Sequence, residues 1–172
     1  MKVWLQEMKW EEVRDHLQKD DVVIIPVGST EQHGTHLPLG TDSMVAIALA
    51  EDAAKEAGAL VAPPIWFGWS PHHMAYPGTI TIRPETLIEL IMDVCRSLIY
   101  HGFHRVIVLN GHRVANMAPL TIAATTLREQ TGAYVVVESL LPHRPWPPPT
   151  FKREQAFKWR TPSSSGIGSA VR

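Results

Sequence analysis

The sequence predicts an α/β fold: a mainly parallel sheet with helices on both faces. Three observations predict it. Apolar, largely β-branched runs at residues 22–27, 105–109 and 133–138 read as buried strands. Longer segments of helical spacing separate them, and alternating strands and helices build a parallel sheet. The first two of these strands each end in a glycine turn, at Gly28 and Gly111, close to side chains able to carry chemistry.

Taken in order, residues 10–18 form a short amphipathic helix, with Trp10, Val13 and Leu17 on one face and Glu11 and Glu12 in the first turn. The first strand follows, bounded by Asp21 and Gly28. Residues 43–57 make an alanine-rich helix stopped by Gly58, whose small side chains permit close approach to the sheet. A short strand at 60–62 is broken by Pro63-Pro64. Residues 65–78 are a long loop rich in aromatic and imidazole side chains (Trp66, Phe67, Trp69, His72, His73, Tyr76). Its composition opposes disorder, leaving either a lid packed on the core by its tryptophans or a wall of a substrate pocket with His72 or His73 pointing inward.

Residues 79–82 alternate like a short strand. Pro84 then opens a helix that runs to about His101 and ends at Gly102. Leu87, Ile88, Ile91, Met92, Cys95, Leu98 and Ile99 form its apolar stripe, which makes Cys95 a core residue rather than a nucleophile. The strand at 105–109 runs into Asn110-Gly111. That pair signals a hairpin only between two strands, and here a helical pattern follows at 117–130, so His112 stands at a strand-to-helix turn.

The bulk properties narrow the function. At 172 residues, 45% hydrophobic and 19% charged, the chain suits one ordinary globular domain. We divide it into an α/β domain at 1–141 and a Pro/Ser-rich segment at 142–172, because six of the fourteen prolines lie from Pro142 onward. A net charge of −1 gives no footprint for nucleic acid or an anionic membrane. The start is charged and amphipathic rather than a signal peptide, and no apolar run reaches the length of a membrane span. One cysteine excludes an internal disulfide framework and suits the cytoplasm.

The chemistry gathers after the first strand. Glu31, His33, His36 and Asp42 fall within twelve residues, on a segment held open by Gly34, Pro38 and Gly40. Carboxylate and imidazole hold hard or borderline divalent metals, and no thiolate competes. The carboxyl end of a strand is where open α/β sheets bind ligands, so the pattern reads as a metal site, with His112 at a second strand end joining it. Each residue also has a plainer reading: Glu31 as a solvated loop carboxylate, the histidines as loop caps, and Asp42 as the N-cap of the next helix.

The run Glu-Gln-His-Gly-Thr-His-Leu-Pro-Leu-Gly-Thr-Asp at 31–42 closely resembles the signature of the creatininase (creatinine amidohydrolase) family. The likeness continues in Met-Ala-Tyr-Pro-Gly-Thr at 74–79 and Asn-Gly-His at 110–112, and covers residues 22–139. The resemblance implies a metal-dependent hydrolase of amide bonds in small polar, often cyclic, substrates. It implies an α/β sandwich, assembly into homo-oligomers such as hexamers, and two divalent ions, zinc or manganese. It assigns Glu31, Asp42 and His112 to one ion, with Asp42 bridging to a second that also takes His33. His36 is left a supporting role. Trp69, His73 and Tyr76 of the long loop are the candidate substrate contacts. Such a centre activates water for attack on the amide carbonyl and polarises its oxygen.

Two departures bear on this. Two residues beyond His112, where creatininase itself carries an acid for the second ion, stands Val114; creatinine is therefore not the favoured substrate. The tail from Ser163 to Arg172 also lacks the histidine that relatives carry near position 169, and the acid after it, so the C-terminal part reads as incomplete. Two alternatives follow: hydrolysis of a cyclic polyol ketone of the inosose type, or an inactive homologue serving as an oligomer subunit. Pro142 to Pro149, with Trp146, is a stiff segment suited to a subunit contact or flap.

Overall fold

Six consecutive residues with no polar side chain, buried on both faces, define the middle of the sheet. They form β1 (Val22–Val27). The structure is a computed structural model and describes residues 2–139. Around β1 the four strands run in the order β2-β1-β3-β4, with β2 at Leu60–Val61, β3 at Arg105–Asn110 and β4 at Tyr134–Ser139. Every pairing is parallel. The register pairs Val27 with Asn110 and Asn110 with Ser139, so three strands end flush.

Alternation along the strands assigns the helices to faces. Val23, Ile25 and Val27 of β1, with Val106, Val108 and Val135, pack beneath α3 (Pro84–Tyr100) and α4 (Arg113–Thr131). Those helices contribute Leu87, Ile91 and Cys95, and Leu120 and Leu127, all fully buried. Each such aliphatic side chain contributes about 1.5–3 kcal/mol through burial. The other face carries Val22, Ile24 and Val61 against α2 (Thr41–Ala57), which meets them with Ala50 and Ala54. Ala46, Ala50 and Ala54 lie at helical spacing with 0% exposure, so the α2 backbone sits close to the sheet. The amphipathic α1 (Trp10–Leu17) packs its Val13 and Leu17 at the edge of the α3/α4 core. Among the described residues, no helix is long and apolar enough to cross a membrane.

Several local expectations change. Helix α2 begins at Thr41, with Gly40 at its N-cap, so Asp42 lies inside the first turn and does not cap it. Helix α4 begins at Arg113 and carries Pro119 in its interior; proline there removes a backbone hydrogen bond, which makes a sequence pattern look as though it starts later. Residues 79–82 form no strand. Ile80 and Thr81 make single bridges to Thr30 and Gly68, because only isolated stretches of backbone approach each other there. In the 65–78 loop Trp66 and Phe67 are exposed and Trp69 is half-buried, and a 3-10 turn at Pro71–His73 shapes its second half. The expectations for residues 142–172, including Trp146 and position 169, lie outside the described residues.

Candidate metal centre

Strand order alone marks the place. From β1 the chain crosses one face to β2, then returns over the other face to β3 on the opposite side of β1. At such a reversal the two outgoing loops part and leave a crevice at the carboxyl ends of the strands. Glu31 follows β1 into this crevice, and His112 follows β3 as the N-cap of α4.

Two glycines bring α2 onto both strand ends. A Cβ on Gly28 would stand 2.5 Å from the Cα and N of Ser43, and one on Gly111 would stand 2.2 Å from the Asp42 carbonyl oxygen. The first turn of α2 therefore rests directly on both exits, and Asp42 is delivered between Glu31 and His112.

The three carboxylate and imidazole groups converge tightly. His112 Nδ1 lies 3.0 Å from Asp42 Oδ2 and 3.1 Å from Glu31 Oε1. The other oxygen of Asp42, Oδ1, is 3.0 Å from His33 Nε2. His33 Nδ1 is 3.1 Å from the Glu31 carbonyl oxygen, which can only accept, so Nδ1 carries the proton. In a neutral ring, Nε2 then meets Asp42 lone pair to lone pair, an opposition that a cation between them relieves. Glu31 Oε2 is buried and has no hydrogen-bond partner among the described residues. One atom each from Glu31, His33 and Asp42 lies within 4.8 Å of the others, and the same holds for Glu31, His72 and His112.

Charge is partly offset locally. Burial works against a cationic His112, but its hydrogen bonds to Asp42 and Glu31, and their charges, raise its pKa to about 9. Burial also opposes ionisation of Glu31, yet hydrogen bonding to His112 and Ser70 prevails and holds its carboxyl below the usual value. In the absence of a metal, the proton on His112 offsets one of the two carboxylate charges and leaves the other for a cation.

A polar scaffold fixes these groups. Asn110 Oδ1 accepts from the His112 backbone N–H at 3.0 Å, while its Nδ2 donates to the His112 carbonyl at 2.9 Å. The buried Asn116 donates to the Gly28 carbonyl at 3.0 Å and accepts from the Trp69 N–H at 2.9 Å, joining β1, the long loop and α4. Ser70 Oγ lies 2.5 Å from Ser29 Oγ and 3.4 Å from His112 Nε2.

The structure thus brings Glu31, His33, Asp42 and His112 together. His73 stands at the rim. Gln32 Oε1 accepts from the Gly34 N–H, so Gln32 Nε2 donates to His73 Nδ1 at 3.0 Å and leaves His73 Nε2 3.7 Å from Glu31 Oε1. Tyr76 is half exposed, its ring 6.2 Å from that of His73, and Trp69 is half-buried. His36 is exposed beside Gly34 and belongs to neither ligand group. Val114 is 85% exposed in the first turn of α4. Sequence reasoning missed His72 as a member of the cluster and missed Asn116. The latter had a signal: it shares the 3.6-residue stripe of Leu120, Ala123 and Leu127, where a buried polar group needs partners.

The sequence model of the creatininase family, described as creatinine amidohydrolase, matches residues 6–166. The chain belongs to the creatininase family. It is 39% identical over 121 residues to the 3-dehydro-scyllo-inosose hydrolase of Thermotoga maritima, covering 70% of this chain and 39% of that protein. It is 31% identical over 133 residues to the creatinine amidohydrolase of Pseudomonas putida, covering 74% and 51%. The chain therefore spans about half, or less, of the length of these relatives. A solved creatininase in a manganese form and a mutant creatininase of zinc–zinc type each superpose with a TM-score of 0.71 at 30% identity, covering 81% of this chain and 58% of theirs.

Proposed function

We propose that this chain carries the metal centre of a hydrolase acting on an amide or other C–N bond of a small polar, often cyclic, substrate. The observation that supports it most is the convergence of imidazole and carboxylate atoms around Glu31, whose buried Oε2 has no hydrogen-bond partner among the described residues. These donors fit a divalent ion of the zinc or manganese type, the forms in which the superposed creatininases occur. Glu31, Asp42 and His112 would hold one ion, and Asp42 would reach with its other oxygen toward a second beside His33. Divalent ions bound there supply an acidified water and a Lewis acid for the substrate carbonyl.

The residues of the chain do the rest. The Glu31 carbonyl fixes His33 so that Nε2 faces the centre. Asn110 holds the backbone on both sides of His112, and with it the imidazole direction. Gln32 orients His73 so that an Nε2–H points into the crevice, where a substrate oxygen can accept it. Trp69 and Tyr76 offer flat apolar surface nearby. Assembly into a homo-oligomer belongs to the same proposal, and light scattering tests it.

The deciding experiment is metal content on protein purified without chelator, beside Asp42→Ala. About two ions per chain, lost in the variant, supports the reading; no metal in either sinks it. A second reading, hydrolysis of a cyclic polyol ketone, is favoured by the 39% identity to the inosose hydrolase. Turnover of such a ketone, with none of cyclic or linear amides, would select it.

A further inference from the structure

We infer that His72 is a metal ligand of this chain, joining Glu31 and His112 around one ion; the inference rests on the metal-centre reading above. Three observations converge on it. One atom each from Glu31, His72 and His112 lies within 4.8 Å of the others, a span that ligands about 2.0–2.2 Å from a shared ion occupy after a small contraction. The His72 ring lies nearly parallel to that of His112, at 13° and 5.9 Å between centroids, so it flanks the same crevice. It is exposed and hydrogen-bonds to no described residue, so no protein partner competes for its nitrogens.

The backbone beneath His72 is anchored. Pro71 opens the 3-10 turn that carries it, and the His73 N–H closes that turn on the Ser70 carbonyl at 3.1 Å. Ser70 is itself buried, its N–H donating to Thr81 Oγ1 at 2.8 Å and its hydroxyl paired with Ser29. The first turn of α4, directly after His112, presents Arg113 and Val114, and neither is a ligand for a cation.

The chemical consequence concerns which metal is taken. With His72 the centre has three imidazoles (His33, His72, His112) and two carboxylates. That set favours zinc or cobalt over manganese more than one with two imidazoles.

The test is titration of chelator-stripped protein with zinc and with manganese against a chromophoric chelator, and with cobalt read by its visible spectrum. Wild type, His72→Ala, His72→Asp and His73→Ala are compared. We expect His72→Ala to weaken zinc by about tenfold or more, to change the cobalt band and to leave the metal-free melting temperature unchanged. His72→Asp restores binding but moves preference toward manganese, and His73→Ala leaves zinc affinity near wild type. Zinc affinity in His72→Ala equal to wild type overturns the inference while leaving the metal centre standing. Failure of the wild type to bind any of the three metals overturns both.

Discussion

The replacement Gly111→Ala tests whether the approach of α2 to the strand ends builds the centre. Nothing in the backbone conformation of Gly111 itself forbids alanine, since no positive φ is involved. The obstacle is contact: the new Cβ would stand 2.2 Å from the Asp42 carbonyl oxygen and 2.8 Å from its carbon. Ordinary contact between such atoms is about 3.5 Å, so about 1 Å of relief is needed. Both partners are backbone, and neither can rotate away. Either the first turn of α2 retreats with Asp42, or the β3–α4 turn retreats with His112.

In both cases the 3.0 Å spacing between Asp42 and His112 opens. Forced overpacking of this kind costs about 1–3 kcal/mol, which lowers the melting temperature by roughly 2–12 °C for a chain of this size. Disturbing the support of a ligand in this way weakens metal binding by about 10–100-fold. Gly132→Ala is the control. There φ is +71° and nothing lies within 4 Å of the added Cβ, so alanine costs about 1–2 kcal/mol of backbone strain and leaves metal binding alone. Differential scanning calorimetry and metal titration of the two variants separate the effects. Full metal affinity in Gly111→Ala would refute the account of how Asp42 is positioned.

Further outcomes follow from other parts of the site. His112 has its pKa raised from 6.5 to about 9, so the stability it contributes to metal-free protein is fully present below about pH 6.5 and is lost as pH rises through about 9. The loss amounts to roughly 3 kcal/mol; a melting temperature of chelated protein that stays flat from pH 6 to 10 contradicts it. Cys95 is fully buried, and burial pushes its thiol up to about 12, so a thiol reagent at neutral pH should label it only on unfolding. Rapid labelling of folded protein would disprove its core placement. Asn116→Leu removes the bonds to Gly28 and Trp69 and should cost about 1–3 kcal/mol. Hydrogen exchange should then quicken at Trp69, and unchanged exchange there would deny Asn116 its tethering role.

Much of the fold was legible because single elements announce themselves. The apolar run of β1 and the stripe of α3 each carry a period that one conformation satisfies. Strand order was not legible, since it depends on how separate elements pack rather than on any local pattern. The start of α2 was misplaced because Asp42 is itself a good N-cap residue by local preference; the crevice instead holds its carboxylate between two histidines. The cluster of carboxylates and imidazoles was visible as a spacing, whereas Gly28 and Gly111 looked like ordinary strand ends. Their need for hydrogen in place of Cβ appears only once α2 is laid across them. Nor does His72-His73 say that both rings reach the crevice: the 3-10 turn that carries them brings their centroids within 4.2 Å of each other.

Packing on one face of the sheet and ligand geometry at its edge are therefore the same problem. The flush register of Val27 and Asn110 places Gly28 and Gly111 side by side, and one helix must contact both. Helix α2 can lie that low because Ala46, Ala50 and Ala54 keep its inner face shallow along its length. A bulkier residue anywhere on that row would lift the helix from the sheet and carry Asp42 away from His33 and His112 together. Small side chains far from the crevice are thus as much a condition for the centre as the carboxylate they deliver, because in a close-packed interior a displacement at one end of a stiff helix is not absorbed before it reaches the other.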